Sequence, residues 1–106
     1  MEGKRLTVFV GEYDRYQHRP LADAILERAR EEGLAGGTLM RGIEGFGRSG
    51  RLKTNRLLSS SDDLPIVVEI VDRADRIEAF LTTIQQMTQN ALVTLEDVVI
   101  HSHGEN

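Results

Sequence analysis

The amino-acid sequence predicts an α+β sandwich with the element order β-α-β-β-α-β. Alternating apolar residues near the N-terminus and the β-branched run Ile66–Val71 indicate strands. Two stretches with apolar residues three or four positions apart indicate helices. Two β-α-β units in about 100 residues are typical of a ferredoxin-like fold, a four-stranded antiparallel sheet with two helices on one face. We therefore expect a single domain over residues 1–106.

The first half of the chain shows one strand and one helix with recognisable ends. The segment Leu6–Val10 follows period two and predicts a strand that ends at Gly11. The polar segment Glu12–Arg19 is predicted to be a loop. Pro20 suits the first turn of a helix, and Gly33 is well placed to end that helix.

The next strands are predicted on either side of the middle of the chain. A turn at Gly36–Gly37 leads into the strand Thr38–Ile43. Pro65 opens the strand Ile66–Val71, because proline is tolerated at the first position of a strand. Asp72 is then a plausible N-cap for the second helix.

The second helix and the last strand are also predicted from the spacing of their apolar residues. Asp75 helps the second helix to start, and its apolar stripe predicts a buried face made of Ile77, Phe80, Leu81, Ile84 and Met87. A final strand is predicted over Leu92–Ile100, with a turn or bulge near Glu96–Asp97. One face of the sheet is predicted to lack helices. Apolar groups are supplied to both faces of the strands by Phe9, Leu39, Val67, Val71 and similar positions, and a half-bare apolar sheet favours oligomerisation.

Composition excludes several classes of function. The chain has no cysteine, which excludes disulfides, thiol catalysis and cysteine-ligated zinc and makes the cytoplasm the simplest predicted location. The net charge of −4 argues against nucleic-acid binding. No apolar run approaches the length that spans a membrane, so we expect no direct membrane insertion.

The segment Arg41–Arg51 is the strongest candidate for a binding site. Its four glycines let other groups approach the backbone, and successive N–H groups can converge on an anion. Residues 41–56 also carry five basic side chains against the single acid Glu44: Arg41, Arg48, Arg51, Lys53 and Arg56. Local positive charge on an acidic chain fits a small anion or an acidic partner surface. A flexible hairpin connection without a ligand remains the alternative.

The chain resembles the PII-like signalling proteins, and most closely an uncharacterised branch of them. The resemblance spans most of the chain and runs through Gly36–Gly37, Gly45–Phe46–Gly47–Arg48 and Leu64–Val71. It implies a homotrimer of ferredoxin-like subunits in which adenine nucleotides bind between subunits. It also implies a loop that contacts enzymes or membrane transporters.

The resemblance also implies which residues act. The ligand-binding residues would be Gly45, Phe46, Gly47 and Arg48, with His101 and His103 from a neighbouring subunit. The partner loop would present Arg51, Lys53 and Arg56. Two departures from the family argue against a triphosphate: the segment Thr88–Leu92 lacks the family's glycine and lysine, and the two histidines stand where relatives carry arginines. A monophosphate or an adenosine derivative fits better.

These observations predict a non-enzymatic regulator with no metal and no certain cofactor, for which an adenine nucleotide is the candidate ligand. The alternative is a small metal-binding protein or enzyme on the same trimeric fold, because a fold does not determine function. His101 and His103 have the two-residue spacing that places both on one face of a strand, but the sequence supplies no third ligand beside them. A third reading is a structural adaptor without a ligand.

Overall fold

The computed structural model of the protein describes residues 1–55 and 63–102. Within them, four long strands and two helices follow the predicted order: β1 (Glu2–Gly11), α1 (Leu21–Glu31), β2 (Gly36–Arg41), β3 (Pro65–Arg73), α2 (Ala74–Met87) and β4 (Leu92–Val99). The strands form one antiparallel sheet in the order β2-β3-β1-β4. The ferredoxin-like prediction is therefore confirmed.

One apolar core lies between the two helices and a single face of the sheet. Side chains alternate between the two faces of a strand, so every second residue of the central strands points into this core. Leu6 and Val8 of β1 and Val68 and Ile70 of β3 are completely buried. The helices contribute side chains that are at most 1% exposed, namely Ile25, Ile77, Phe80 and Ile84. Both helices consequently cover the same face, as predicted.

Helix α1 ends at the glycine that the sequence indicates. Gly33 has φ +74°, a left-handed conformation that glycine adopts without steric cost. Its N–H donates to the carbonyl of Arg30 at 3.0 Å, and the N–H of Leu34 donates to the carbonyl of Ala29 at 3.1 Å. These two bonds form a Schellman motif, which satisfies carbonyls that the helix itself leaves unpaired. At the other end, Pro20 is the N-cap and precedes the first turn.

Strand β2 lies two residues earlier in the chain than predicted, because Gly36–Gly37 is part of the strand rather than a turn. A Cβ at Gly37 would lie 2.9 Å from Cδ1 of Leu26 in α1. Glycine therefore lets the helix pack closely on this strand. The strand ends at Arg41.

Helix α2 begins after Arg73, so the prediction that Asp72 is its N-cap is wrong. Asp72 is the last inward-pointing residue of β3 and is 2% exposed. Its carboxylate already accepts backbone N–H bonds from Ala35 at 3.0 Å and Arg73 at 2.6 Å. Asp75 does lie in the first turn of α2, as predicted.

Strand β4 runs without the predicted bulge at Glu96–Asp97, in unbroken register with β1. The two acids are accommodated because basic residues of β1 lie directly opposite. Arg5 donates two hydrogen bonds to Glu96, at 2.9 and 3.0 Å, from one terminal nitrogen. Lys4 donates to Asp97 at 2.6 Å, and this hydrogen bond holds the pKa of Asp97 below its ordinary value.

The polar segment that was predicted as a loop contains a short hairpin. Arg15–Tyr16 pairs with Arg19–Pro20, and the two residues between them, Gln17 and His18, have φ of 48° and 68°. Positive φ at both central residues is typical of a type I′ turn, whose twist matches that of paired strands. Sequence propensity alone does not indicate this turn, because type I′ turns usually contain asparagine or glycine and this one contains Gln17 and His18.

A row of apolar side chains crosses the face of the sheet that has no helix. The register aligns one residue from each strand: Met40 of β2, Val67 of β3, Phe9 of β1 and Leu92 of β4. Three of them are substantially exposed, with Met40 at 42%, Phe9 at 39% and Leu92 at 63%. The sequence-based expectation of apolar groups on this face is thus met by a continuous row.

Candidate functional site

The candidate site lies at the end of the sheet where β1 and β2 finish and β3 and β4 begin. Four connecting segments start or end here: the hairpin after Gly11, the glycine-rich segment after Arg41, the residues before Pro65 and the turn before Leu92. The antiparallel order of the strands brings them to one edge although they are far apart in sequence. In a ferredoxin-like sandwich, loops at such an edge are free to carry function on a rigid support.

The glycine-rich segment forms a small hairpin of its own. Glu44–Gly45 pairs with Lys53–Thr54, and the N–H of Asn55 donates to the carbonyl of Ile43 at 3.1 Å. A turn follows in which the N–H of Gly50 donates to the carbonyl of Gly47 at 2.9 Å. The segment therefore has a defined backbone structure. It is a hairpin, as the alternative interpretation predicted, and whether it binds a ligand stays open to test.

The glycines of this hairpin serve two different purposes. A Cβ at Gly42 would lie 2.7 Å from Cγ of Pro65, and one at Gly45 would lie 3.1 Å from the same atom. These two glycines are explained by the close approach of the hairpin to the start of β3. Among residues 1–55 and 63–102, no atom lies within 4 Å of the Cβ position of Gly47, so these residues leave its backbone open to other groups. Of the predicted ligand-binding glycines, Gly47 is the accessible one.

The tip of the hairpin exposes both apolar and cationic side chains. Phe46 is 74% exposed, Ile43 65% and Leu52 56%. Arg48 is also exposed, and within residues 1–55 and 63–102 its guanidinium makes no hydrogen bond or ion pair. An exposed aromatic ring beside an unpaired guanidinium suits a ligand or partner that has both apolar and anionic parts.

Two of the predicted cations point back to the body of the protein. Arg41 forms an ion pair with Glu12, which follows β1. Lys53 lies 3.6 Å from the carboxylate of Asp63, which precedes β3. The side chain of Lys53, which was predicted for the partner loop, is 28% exposed and faces this acid. Its contact with a partner stays a prediction. Two of the five basic side chains of this region are thus paired with carboxylates that lie outside the glycine-rich segment.

One of the two predicted histidines, His101, lies away from the glycine-rich hairpin in the same chain. His101 follows β4 at the opposite end of the sheet, beside the N-terminus, where the N–H of Ile100 donates to the carbonyl of Met1 at 2.8 Å. His101 and the segment from Gly45 to Arg48 are thus not brought together within one chain. A contact between them would need a second copy of the chain, and that contact stays a prediction. His103 and Arg56 lie outside the described residues.

A groove of about 470 Å³ opens at the same end of the sheet as the glycine-rich hairpin. It lies between the hairpin that follows β1 and the end of α2. Sequence reasoning identified Thr88–Leu92 only as a departure from a family pattern and missed the cavity. Its lining residues are mainly polar: Asp14, Arg15, Leu21, Gln86, Met87, Thr88, Gln89 and Asn90.

Other classes of site find no support in the described part of the chain. No group of three histidine, aspartate or glutamate side chains is close enough there to hold a metal ion. Among these same residues, neither helix combines the length and the apolar character needed to cross a bilayer.

The fold is similar to solved PII-like structures. CPII, a nitrogen regulatory PII-like protein from Thiomonas intermedia K12, in a structure with ADP, AMP and bicarbonate, is 20% identical, with a TM-score of 0.54 over 92% of this chain and 87% of that chain. A DUF3240 family protein from Shewanella baltica OS155 is 21% identical, with a TM-score of 0.58 over 97% of this chain and 96% of that chain. At these identities the likeness shows the fold.

The protein therefore has a ferredoxin-like fold similar to that of PII-like proteins, with a short glycine-rich hairpin at one end of its sheet. It belongs to the DUF190 family, described as "Uncharacterized ACR", whose model matches residues 3–100. A UPF0166 protein from Aquifex aeolicus (strain VF5) is 38% identical over 97 residues, which are 92% of this chain and 91% of that protein. The predicted membership of an uncharacterised PII-like branch is confirmed.

Proposed function

We propose that this protein is a non-enzymatic PII-like regulator that binds a small anionic ligand at Gly45, Phe46, Gly47 and Arg48. An adenine nucleotide is the leading candidate, and the presence of ADP and AMP in CPII, which has the same fold, supports that choice. The observation that carries the proposal is that, among the described residues, none covers the backbone of Gly47 and none pairs with the guanidinium of the adjacent Arg48. Glycine, phenylalanine and arginine bind and orient a ligand but supply no nucleophile or general base at neutral pH, so the proposal includes no chemical step.

The regulator would act as a homotrimer. The apolar row across the helix-free face favours association with further copies, and closed cyclic symmetry would cover it in every subunit. In such an assembly a neighbouring chain could bring His101, and with it His103, to the hairpin. The ligand would then lie between subunits, and its presence would be coupled to the assembly.

The partner would be a cytoplasmic enzyme or the cytoplasmic side of a membrane transporter. The exposed Ile43, Phe46 and Leu52 offer an apolar contact, and Arg48 and Arg51 lie between Phe46 and Leu52 in the sequence and add positive charge. A partner surface with a central apolar patch and an acidic rim would complement this hairpin. Nucleic acid is a poor candidate because the whole chain is acidic.

Calorimetry with AMP and ADP on the intact protein tests the ligand proposal. Replacing Arg48 by alanine should weaken binding by about 1–3 kcal/mol, because a charge-assisted hydrogen bond to the phosphate is lost. Arg30→Ala is the matched control, since Arg30 lies on α1, pairs with Glu27 and should not affect affinity. His101→Ala should weaken binding if a neighbouring subunit completes the site.

Two outcomes would contradict this proposal. If neither nucleotide nor inorganic phosphate binds more tightly than millimolar, the protein is not an anion sensor. If binding is tight but the same in wild type, Arg48→Ala and His101→Ala, the ligand site lies elsewhere on the molecule.

A further inference from the structure

Four charged side chains at the base of the glycine-rich hairpin form two ion pairs that connect it to the rest of the chain. Arg41 stands immediately before the hairpin and pairs with Glu12. Lys53 stands in its returning strand and lies 3.6 Å from Asp63. Both carboxylates lie outside the hairpin, one after β1 and one before β3. Each end of the hairpin is therefore held by one ion pair.

The two acids are themselves firmly placed. Glu12 donates its backbone N–H to the carbonyl of Leu64 at 2.9 Å, which fixes its position beside the start of β3. The carboxylate of Asp63 accepts the N–H of Tyr13 at 2.7 Å. A side chain at Gly11 would collide with this carboxylate, so the glycine there makes room for it. The side chains of Glu12 and Asp63 are only 23% and 24% exposed.

This arrangement places two cations and two internal acceptors where the hairpin meets the sheet. A guanidinium donates to carboxylate and to phosphate oxygens in the same geometry, and an ammonium binds both as a point charge. Ion pairs that retain contact with water contribute little net free energy, so a phosphate group of higher charge can displace a carboxylate from them. Glu12 and Asp63 thus occupy the donors that a phosphate would use.

We propose that Arg41 and Lys53 hold a phosphate group of the bound ligand, and that Glu12 and Asp63 hold these two cations when the ligand is absent. This rests on the proposed function and adds residues to its site. Binding then exchanges two internal ion pairs for contacts with the ligand and frees both ends of the hairpin from the sheet. Only the molecules in which the internal pairs are broken can bind the ligand. The apparent affinity is therefore lower than the intrinsic affinity by the fraction of such molecules.

The test is calorimetry with ADP and with inorganic pyrophosphate on the intact protein. Arg41→Met and Lys53→Met should each weaken both ligands about tenfold or more, because a phosphate contact is lost. Glu12→Gln and Asp63→Asn keep size and hydrogen-bonding capacity and should strengthen binding about three- to tenfold, because the competitor of the ligand is removed. Glu31→Gln on α1 is the matched control for the loss of one negative charge and should have no effect.

A double-mutant cycle separates competition from a general effect of charge. If Glu12 acts through Arg41, then Glu12→Gln should have no effect on pyrophosphate affinity in the Arg41→Met background. An equal gain in both backgrounds would mean that Glu12 only repels the ligand, and the proposal would be wrong. ADP and pyrophosphate should respond alike, since the phosphate is the recognised group; adenosine should respond to none of these variants.

A measurement without ligand distinguishes this inference from the proposed function. Hydrogen exchange at the N–H of Gly42, which donates to the carbonyl of Pro65 at 2.7 Å, and at the N–H of Asn55 should be faster in Glu12→Gln and Asp63→Asn than in wild type. Unchanged exchange together with unchanged affinities would overturn the inference while nucleotide binding by wild type still supported the regulator. Absence of binding by wild type and by every variant would overturn both.

Discussion

Replacing Asp72 by alanine should lower the free energy of unfolding by about 3–5 kcal/mol, the cost typical of removing one partner of a buried charge pair. The side chain of Asp72 is almost fully buried and lies 3.1 Å from the guanidinium of Arg76, one turn into α2. Its carboxylate also accepts the backbone N–H groups of Ala35 and Arg73. Alanine would leave two N–H donors and one cation without their acceptor.

The effect should extend to the contact between the two helices. Arg76 also donates to the carbonyl of Glu32 at 2.7 Å and to that of Gly33 at 3.1 Å, at the end of α1. Asp72 therefore keeps in place the side chain that joins the end of α1 to the start of α2. Since a protein of this size has only about 5–15 kcal/mol of stability, the variant should be close to its unfolding limit.

Urea unfolding at a fixed protein concentration measures this cost, and concentration matters because association would add to apparent stability. Asp75→Ala is the matched control. Asp75 lies in the first turn of α2, three residues after Asp72, but is exposed, so its loss should cost less than about 1 kcal/mol through the helix dipole. Equal costs for the two variants would show that the network around Asp72 contributes nothing beyond a helix-start charge.

Asp72 also illustrates what the sequence could and could not predict about the fold. Periodicity correctly predicted every long strand and both helices, because it reports which face each element buries. The role of Asp72 depends on Ala35 and Arg76, which no local pattern connects to it. The wrongly predicted bulge at Glu96–Asp97 has a similar origin, since the charges on β4 are matched by residues of β1 about 90 positions earlier in the chain.

Glycine content and charge select the segment after Arg41 as the candidate site, and that choice stays a prediction. They could not show that Arg41 and Lys53 are neutralised by Glu12 and Asp63, because these contacts arise from the strand order and not from neighbouring positions in sequence. Only their positions in the sequence could have pointed to these two acids. Glu12 follows Gly11 at the end of β1, and Asp63 precedes Leu64 and Pro65 at the start of β3.

Introducing glutamate at Phe9 should convert the proposed trimer into monomers at micromolar concentration. Phe9 lies in the middle of the apolar row on the helix-free face, paired with Val67 on one side and Leu92 on the other. In a cyclic trimer that buries this face, the substitution would place three carboxylates in one interface. Burying an unpaired carboxylate costs several kcal/mol, which is enough to abolish association of ordinary strength.

Light scattering coupled to gel filtration gives the answer directly, because the wild-type mass should be three times the chain mass of 11.9 kDa. Thr82→Glu is the matched control: it adds the same negative charge at an exposed position of α2, on the opposite side of the sheet from the helix-free face. We expect this control to remain trimeric. A wild-type monomer would exclude the trimer itself, whereas a trimeric Phe9→Glu variant would place the subunit contacts on another surface and leave the apolar row to a different partner.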